Sequence, residues 1–496
     1  MEKIRSKQVT LKLYNTATRK KEVFHPLEEG KVGVYVCGVT VYDLCHVGHA
    51  RSVIVFDVLT RYLRAQGLDV TYVRNFTDVD DKIIDRANRT GKDTTALAQE
   101  YIDAFHEDMA RLYVENADVE PRATEHIDGM IEMIMALLDK GYAYAEGNEV
   151  FFSVESFKGY GSLSGRKLED MQAGSRVAVD EKKRHPMDFV LWKGAKPGEP
   201  QWPSPWGPGR PGWHLECSVM SNHYLGTTFD IHGGGRDLLF PHHENERAQS
   251  IGANKGDFAR YWVHNGFVTV ESEKMSKSLG NFLTIRDALE KYHAQVLRLF
   301  LLSTHYRTPL DFSESAIEGV KSGLIRIYRT LERVEKAIGP YVDEKSGTGG
   351  LLSGDDDSPF MDGFIAAMDD DLNTVGAIGL IFEKVREVNR LMDSDDAGTD
   401  TVRGLLEDSR RQIYLACRVL GLLQESTSEF FDQLSAAKKD IDPVEIERLI
   451  RERAAAKSKK DWTRADGIRD RLKTMGVVLE DGPEGTSWRL DVSTPD

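Results

Sequence analysis

At 496 residues the chain is too long for one hydrophobic core, so several domains are expected. A formal charge of -15, from 65 basic and 80 acidic side chains, argues against a general nucleic-acid coat and leaves room for a local basic surface. The first residues, Met-Glu-Lys-Ile-Arg-Ser-Lys, lead into no apolar run, and no stretch approaches the roughly 20 apolar residues of a membrane helix. A cytoplasmic protein without a membrane partner is expected. The four cysteines, Cys37, Cys45, Cys217 and Cys417, lie far apart, which argues for reduced thiols or a metal rather than disulfides.

In chain order, residues 9–36 read as short strands. Val32, Val34 and Val36 with Tyr35 form an apolar, β-branched run that predicts a buried strand, and Ser52-Val-Ile-Val-Phe with Val58, Leu59 and Leu63 predicts a helix. Between them the stretch Cys37 to Arg51 reads C-G-V-T-V-Y-D-L-C-H-V-G-H-A-R. Its His46-Val-Gly-His49 falls at a strand-to-helix junction, where unpaired backbone N–H groups and the positive end of the helix dipole make an anion site. Gly48, lacking a Cβ, lets a bulky ligand approach, and both imidazoles can reach it. Taken alone, the pattern fits a capping and packing pair of histidines equally well. Val70-Thr-Tyr-Val-Arg-Asn-Phe supplies a second buried strand, so this region forms a βαβ unit, the start of a doubly wound parallel sheet. Asn75, Thr77, Asp78, Asp80 and Asp81 follow at that strand's C-terminal end, where ligands of such sheets bind. From about 93 to 141 the spacing is helical, with Ile127, Met130, Ile131, Ile134, Leu137 and Leu138 on one face and Gly141 as the stop.

Residues 145–212 read as an inserted lobe, with a strand at Val150-Phe-Phe-Ser-Val and a stiff Pro/Gly/Trp-rich surface loop over 201–212. Then Trp213-His-Leu-Glu-Cys217, Phe229-Asp-Ile-His-Gly-Gly-Gly-Arg-Asp237 and Pro241-His-His-Glu-Asn-Glu246 follow closely. Phe229 and Ile231 before three glycines predict a strand entering a tight turn, with Asp237 able to hold a ribose hydroxyl. Pro241 reads as a helix start, which puts His242 and Glu246 on one face, where both can ligate one ion. Cys217 and Cys37 can each add a thiolate. The resulting Cys₂-His-carboxylate set suits either a closed structural zinc or a functional one, and a carboxylate ligand is more typical of the latter. In Glu273-Lys-Met-Ser-Lys-Ser-Leu-Gly-Asn281, Lys274 and Lys277 beside Ser276, Ser278 and Gly280 can close over phosphates; lysines in a loop are otherwise merely solvated.

H-V-G-H near the N-terminus and K-M-S-K-S later resemble the two signatures of class I aminoacyl-tRNA synthetases. The longer stretches Y-V-C-G-V-T-V-Y-D-L-C-H-V-G-H, G-W-H-L-E-C-S, D-I-H-G-G-G and F-P-H-H-E-N-E resemble the cysteinyl-tRNA synthetase family, over essentially the whole chain. Val47 stands where the signature has isoleucine, a change that touches packing only. The resemblance implies a mechanism in which a cysteine carboxylate attacks the α-phosphorus of ATP and the adenylate is then attacked by the 2′-hydroxyl of the terminal tRNA adenosine. It implies His46, His49, Lys274 and Lys277 as catalytic, with Gly48, Gly234 and Asp237 also binding ATP, which comes with Mg2+. It implies one zinc on Cys37, Cys217, His242 and Glu246 that takes the substrate thiolate, and Thr40, Thr77 and Trp213 in the amino-acid pocket. Such a metal answers a selectivity problem: a thiol, with pKa near roughly 8.5, becomes a soft ligand at neutral pH, whereas the serine hydroxyl does not. The 145–212 insertion is too short for a hydrolytic editing domain. The partners implied are tRNA(Cys), L-cysteine and ATP, with a monomer expected.

Val320, Leu324, Ile327, Leu331, Val334 and Ile338 have helical spacing over 315–339, ended by Gly339-Pro340. A flexible linker follows, Lys345-Ser-Gly-Thr-Gly-Gly with Gly354-Asp-Asp-Asp-Ser-Pro. Two amphipathic helices are expected around 374–392 (Ile378, Ile381, Val385, Val388) and 401–421 (Leu405, Ile413, Ala416, Val419), with Cys417 in their core. Between Glu447 and Gly476 basic residues outnumber acidic about two to one. That stretch, interleaved with Trp462, reads as a solvated face or as a surface for single-stranded RNA, whose splayed bases stack on aromatics. Val477-Val-Leu then leads through a turn at Asp481-Gly-Pro into a terminal strand. The resemblance implies anticodon recognition here, with Trp462 and Asp481 as tRNA contacts. The fold class expected is α/β: a doubly wound, Rossmann-like catalytic domain (1–144 and 213–270) with an inserted connective lobe (145–212). A K-M-S-K-S and stem-contact region (271–314), a helical anticodon-binding bundle (315–440) and a small mixed α/β C-terminal domain (441–496) follow. Three rivals are a cysteine:amino-sugar amine ligase on the same catalytic domain, a non-catalytic tRNA-binding paralogue and a nucleotidyltransferase sharing H-x-G-H. Against them stand, respectively, residues 441–496, the intact His46, His49, Lys274 and Lys277, and the zinc set together with the tail.

Overall fold

Strand β1 (Lys12–Asn15) pairs antiparallel with β2 (Lys20–Val23), and β3 (Lys31–Val36) then enters a parallel sheet. The computed structural model describes residues 10–167, 181–254, 256–270, 273–274, 282–341, 349–352, 358–436, 443–474, 477–482 and 485–490. Val32, Val34, Val36 and Tyr35 of β3 are all buried, because helices cover both faces of the strand. Helix α1 (Val47–Ala65) starts at the expected strand-to-helix junction, just ahead of the apolar run from Ser52, with His46 itself as its cap. Among its 19 residues only four escape burial, and Arg51, Asp57 and Arg61 are inside. A helix covered on every side lies in the middle of the molecule. β4 (Asp69–Arg74) returns parallel to β3, and α2 (Asp81–Thr90), α3 (Thr94–Arg111) and α4 (Ile127–Asp139) follow. The helical stretch expected over 93–141 is thus two helices. Between them the chain runs extended beside β4, with Val119 bridging Val73 and Arg122 bridging Phe76 around Pro121.

The inserted lobe is an antiparallel sheet of β5 (Ala143–Glu146), β6 (Glu149–Phe152), β7 (Phe189–Gly194) and β8 (Gly209–Pro211). The loop expected on the surface over 201–212 therefore ends in a strand, with Arg210 buried and a Cβ on Gly212 excluded by the Val190 carbonyl 2.0 Å away. Next come α5 (Trp213–Leu225), β9 (Thr228–Gly235), α6 (Glu244–Ala253) and β10 (Phe258–Asn265), completing the parallel order β10-β9-β3-β4. Gly233, Gly234 and Gly235 do not form the expected turn. They continue β9, paired with Val263, His264 and Asn265, and a Cβ on Gly233 would lie 2.3 Å from the Phe56 ring of α1. The chain leaves β3 toward β4 on one side and comes back as β9 on the other, so the sheet's topological switch point lies at the C-terminal ends of β3 and β9.

A small sheet of β11 (Val268–Val270), β12 (Glu273–Lys274) and β13 (Leu310–Phe312) adjoins α7 (Ile285–Lys291) and α8 (Ala294–Leu302). The helical region contains α9 (Glu314–Ile338), α10 (Pro359–Asp369), α11 (Thr374–Met392), α12 (Asp400–Val419) and α13 (Thr427–Ala436). α10 and α13 were not expected; α10 starts at Ser358, whose hydroxyl caps Met361, with Pro359 in its first turn. Leu405, expected on the apolar face of α12, is 47% exposed, while Cys417 is buried as expected. Much of the expected linker lies outside the described residues, but Gly350 and Leu352 donate to the Arg64 and Ala65 carbonyls and Leu352 is buried, so this part is docked on the end of α1. A separate small core, Ile446, Leu449, Ile450, Ile468, Leu472 and Val477, joins α14 (Pro443–Ser458) and α15 (Trp462–Thr474) to the hairpin β14 (Val477–Gly482) and β15 (Gly485–Leu490).

Candidate active site

His46 is the N-cap of α1, and its Nδ1 accepts from the backbone N–H groups of Gly48 (3.0 Å) and His49 (3.4 Å). His49 Nδ1 accepts in return from the His46 N–H at 3.2 Å, so two histidines make the reciprocal capping arrangement normally made by Ser/Thr and Glu. Their rings stack at 3.7 Å, with Phe282 edge-on to His46. Because each Nδ1 accepts, the proton of the neutral ring sits on Nε2, which leaves both rings as donors. Burial, and then the neighbouring His46 and Lys82, push the His49 pKa down to about 3. His49 therefore offers an uncharged N–H, while the charge at this spot comes from the helix dipole.

These residues line a cavity of about 440 Å³, with Cys37, Thr40 and Trp213 at one part and Gly235, Asp237 and Asn265 at another. Asp237 therefore lines the same cavity as the two histidines, but Gly234, expected in the ATP site, is turned to the interior; a Cβ there would meet the His243 ring at 2.9 Å. Thr77, expected in the amino-acid pocket, is buried behind the cavity wall, and its hydroxyl donates to Glu216 Oε2 at 2.7 Å. Asp80 caps α2, Asp78 holds Thr124, and Asp81 pairs with Lys193 and Arg210 of the lobe. Three of the five polar residues expected to face a ligand after β4 are thus structural.

The predicted metal set converges. Ligand atoms of Cys37, Cys217, His242 and Glu246 all lie within 4.8 Å of one another, Cys37 Sγ being 3.2 Å and His242 Nε2 2.9 Å from Glu246 Oε1. The regular helix starts at Glu244 rather than Pro241, yet His242 and Glu246 still share a face. Burial works to raise the Cys217 pKa, but hydrogen bonds from Cys37 and His242 bring it down to about 6. Burial likewise opposes the charged form of His242, yet Glu246 and Cys217 lift its pKa to about 10. The carboxyl of Glu246 is held well below its usual range by His232 and His242 against the cost of burial. Two sulfurs, an imidazole and a carboxylate, with the proton already displaced from one thiol, fit a zinc ion. A second group, Cys37, His232, His243 and Glu246, meets the same distance condition. The set with two sulfurs suits zinc better, and His232 Nε2, 2.7 Å from Glu246 Oε2, acts as the outer partner that orients the carboxylate. Pattern reading missed His232 and His243, which lie inside β9 and the turn before α6. It also missed Gly38, whose Cβ position is only 1.5 Å from the Asn75 carbonyl oxygen and whose N–H donates to Asn75 Oδ1 at 2.9 Å.

Lys274 lies on β12, opposite Thr269 of β11. Lys277 lies outside the described residues. Trp462 is 60% exposed on α15, and Asp481 pairs through its backbone with Thr486, so neither belongs to this cavity.

Comparison with known proteins decides the family. Residues 23–322 match the tRNA synthetases class I (C) catalytic domain, 363–424 the DALR domain and 443–489 the cysteinyl-tRNA ligase anticodon binding domain. The chain is 53% identical over 492 residues to a cysteine–tRNA ligase of Pelobacter propionicus, covering 97% of this chain and 100% of that one. It is 54% identical over 480 residues to one of Thioalkalivibrio sulfidiphilus, covering 97% and 99%. The chain belongs to the cysteine–tRNA ligase family. Members are aminoacyl-tRNA synthetases, and the α/β fold agrees: Mycobacterium tuberculosis methionyl-tRNA synthetase in complex with methionyl-adenylate superposes with a TM-score of 0.57 at 17% identity, covering 82% of this chain and 94% of that one. For a cysteine–tRNA ligase, the thiol-rich ligand set beside the H-V-G-H helix is the feature that sets this cavity apart from one that only binds a nucleotide.

Proposed function

We propose that the chain activates L-cysteine with ATP and transfers it to the 3′-terminal adenosine of tRNA(Cys), in the cytoplasm and as a monomer. The observation that carries the reading is the meeting of Cys37, Cys217, His242 and Glu246 at the end of β3, with Cys37 also lining the cavity of His46 and His49. Zinc on that set would supply a soft site for the cysteine thiolate and so separate cysteine from serine. Trp213, stacked on His242 at 4.3 Å and 39% exposed, closes the pocket beside the side chain. The start of α1 faces the α-phosphate, where His46 and His49 donate through Nε2 to oxygens that gain charge as pyrophosphate leaves. Lys274 and Lys277 add positive charge to that leaving group, and Mg2+ accompanies the ATP. Asp237 holds the ribose. No described helix is long and apolar enough to cross a membrane. The anticodon-domain match over 443–489 favours tRNA over an amino sugar as acceptor.

The test is cysteine-dependent exchange of pyrophosphate into ATP, followed by charging of tRNA(Cys). Exchange with cysteine but not serine, and charging that requires intact RNA, is the expected result. Exchange that ignores cysteine, or transfer to an amine without RNA, would overturn it.

A further inference from the structure

Two flanks of the cavity meet at the start of α1. On the β9–β10 flank lie Gly235, Asp237 and Asn265; on the β4 flank, at the opposite edge of the sheet, lie Lys82 and Arg74. Arg74 is the last residue of β4 and only 2% exposed, with its guanidinium 4.7 Å from the Phe105 ring centre. One nitrogen, Nη2, donates to Glu120 at 2.6 Å, and the guanidinium also interacts with the Tyr72 hydroxyl, which leaves its donor set incomplete among the described residues. Burying a guanidinium with an incomplete donor set is costly unless a ligand completes it. Lys82 is exposed at the first turn of α2, its ammonium 5.3 Å from the Tyr42 ring centre. It reaches close enough to His49 to disfavour a charge there. The carboxylates of this corner are engaged elsewhere: Asp43 with Arg86, Asp81 with Lys193 and Arg210, Asp108 with Arg286, and Asp80 in capping α2. No described carboxylate forms an ion pair with Lys82.

We propose that Lys82 and Arg74 form a phosphodiester-binding subsite that holds the 3′-terminal nucleotides of the RNA substrate on the β4 flank of the cavity. The proposal rests on the charging reading above. A nucleotide seated at Asp237 fills the other flank, so the second reactant, a polynucleotide, has to bring its hydroxyl in from the β4 side. Arginine and lysine beside an aromatic platform suit a backbone phosphate, which positions the strand without reading its sequence. Lys82 needs little reordering to make the contact, since Tyr42 already supports it.

The experiment uses the full-length enzyme, with Lys82→Ala and Lys82→Arg, exposed-site variants that leave the core alone. Transfer from preformed cysteinyl-adenylate is followed in single turnovers, beside pyrophosphate exchange. Two acceptors are compared: tRNA(Cys), and the same RNA with its terminal phosphodiester replaced by a neutral methylphosphonate. Lys82→Ala should slow transfer at subsaturating RNA by about tenfold or more, well beyond any loss in exchange. The salt slope of RNA binding should become shallower by about one, and Lys82→Arg should restore most of the rate. On the methylphosphonate RNA the difference between wild type and Lys82→Ala should vanish. Three results overturn the subsite: undiminished transfer by Lys82→Ala, an equal loss on both RNAs, or an equal loss in exchange, which would assign Lys82 to the phosphates of ATP. Wild-type enzyme lacking cysteine-dependent exchange would instead overturn the charging reading, and the subsite with it.

Discussion

The cavity at the head of α1 and the small domain of α14, α15, β14 and β15 use charge in opposite ways. Beneath the cavity wall, Cys217, His242 and Glu246 are buried, and their proton affinities are set by each other. In the small domain, Arg464, Arg469 and Arg471 are more than half exposed, and their ion pairs with Glu452, Asp466 and Glu445 are open to water. Removing one member of the first group leaves an uncompensated buried charge, whereas exposed pairs contribute little to stability. The same net chemistry of acids and bases therefore builds a reaction site in one place and a solvated surface in the other.

The contrast breaks most clearly at the metal set. Cys217→Ser should lower cysteine activation by at least about 10²-fold, the scale on which even outer partners of a metal act, while most of the folded circular-dichroism signal remains. X-ray absorption on the zinc-loaded enzyme should show a higher sulfur count on saturation with cysteine and no change with serine. An unchanged count would make the zinc a structural staple, with selectivity arising elsewhere.

If Lys277 serves the leaving pyrophosphate as proposed, Lys277→Ala removes a charge used mainly in the transition state, and pyrophosphate exchange should fall on the order of 10²-fold with little change in melting temperature. A near wild-type rate would sink the assignment.

In the small domain the effects should be of a different kind. Trp462→Ala should change stability by under about 0.5 kcal/mol, because the ring is exposed, yet weaken tRNA charging by about tenfold through lost base stacking. Pyrophosphate exchange is the control; an equal loss there would make this region a prop for the fold.

The smallest effect concerns pH. His49, half-buried at the cavity, and the buried His264 have pKa values pushed down to about 3, from an ordinary value near 6.5. Unfolding lets each take up a proton in that window, so their contribution is intact above about pH 6.5 and is lost as pH falls toward 3. His49→Asn should make stability measured by urea unfolding less steep in pH between 6.5 and 4, by up to one proton. An unaltered slope would show that His49 is not held neutral in the fold.

Much of this was legible in the sequence because the signals were local. Val32, Val34 and Val36 announce a strand, Ile378, Ile381, Val385 and Val388 a helix, and His46-Val-Gly-His49 a strand-to-helix junction. The misses share one cause, which is long-range contact. Pro121 and its neighbours are extended because they line β4, not because their own spacing is unhelical. Gly233 to Gly235 resemble a turn but are flat strand residues that make room for Phe56 and His243. Leu352 looks like linker and is buried on α1.

The sequence by itself determined which residue types are available: two distant thiols, a His and Glu four apart on one helical face, two imidazoles at a helix start, and a basic tail. Spacing along the chain is enough for these, since they depend on one turn of helix or one strand. Only the tertiary structure decided that Cys37, Cys217, His242 and Glu246 meet, that His232 orients the carboxylate, that Thr77 stands behind the pocket and that Arg74 lines it with an incomplete donor set. Those relations join segments up to 209 residues apart, and only the order of strands in the sheet brings them within hydrogen-bonding distance.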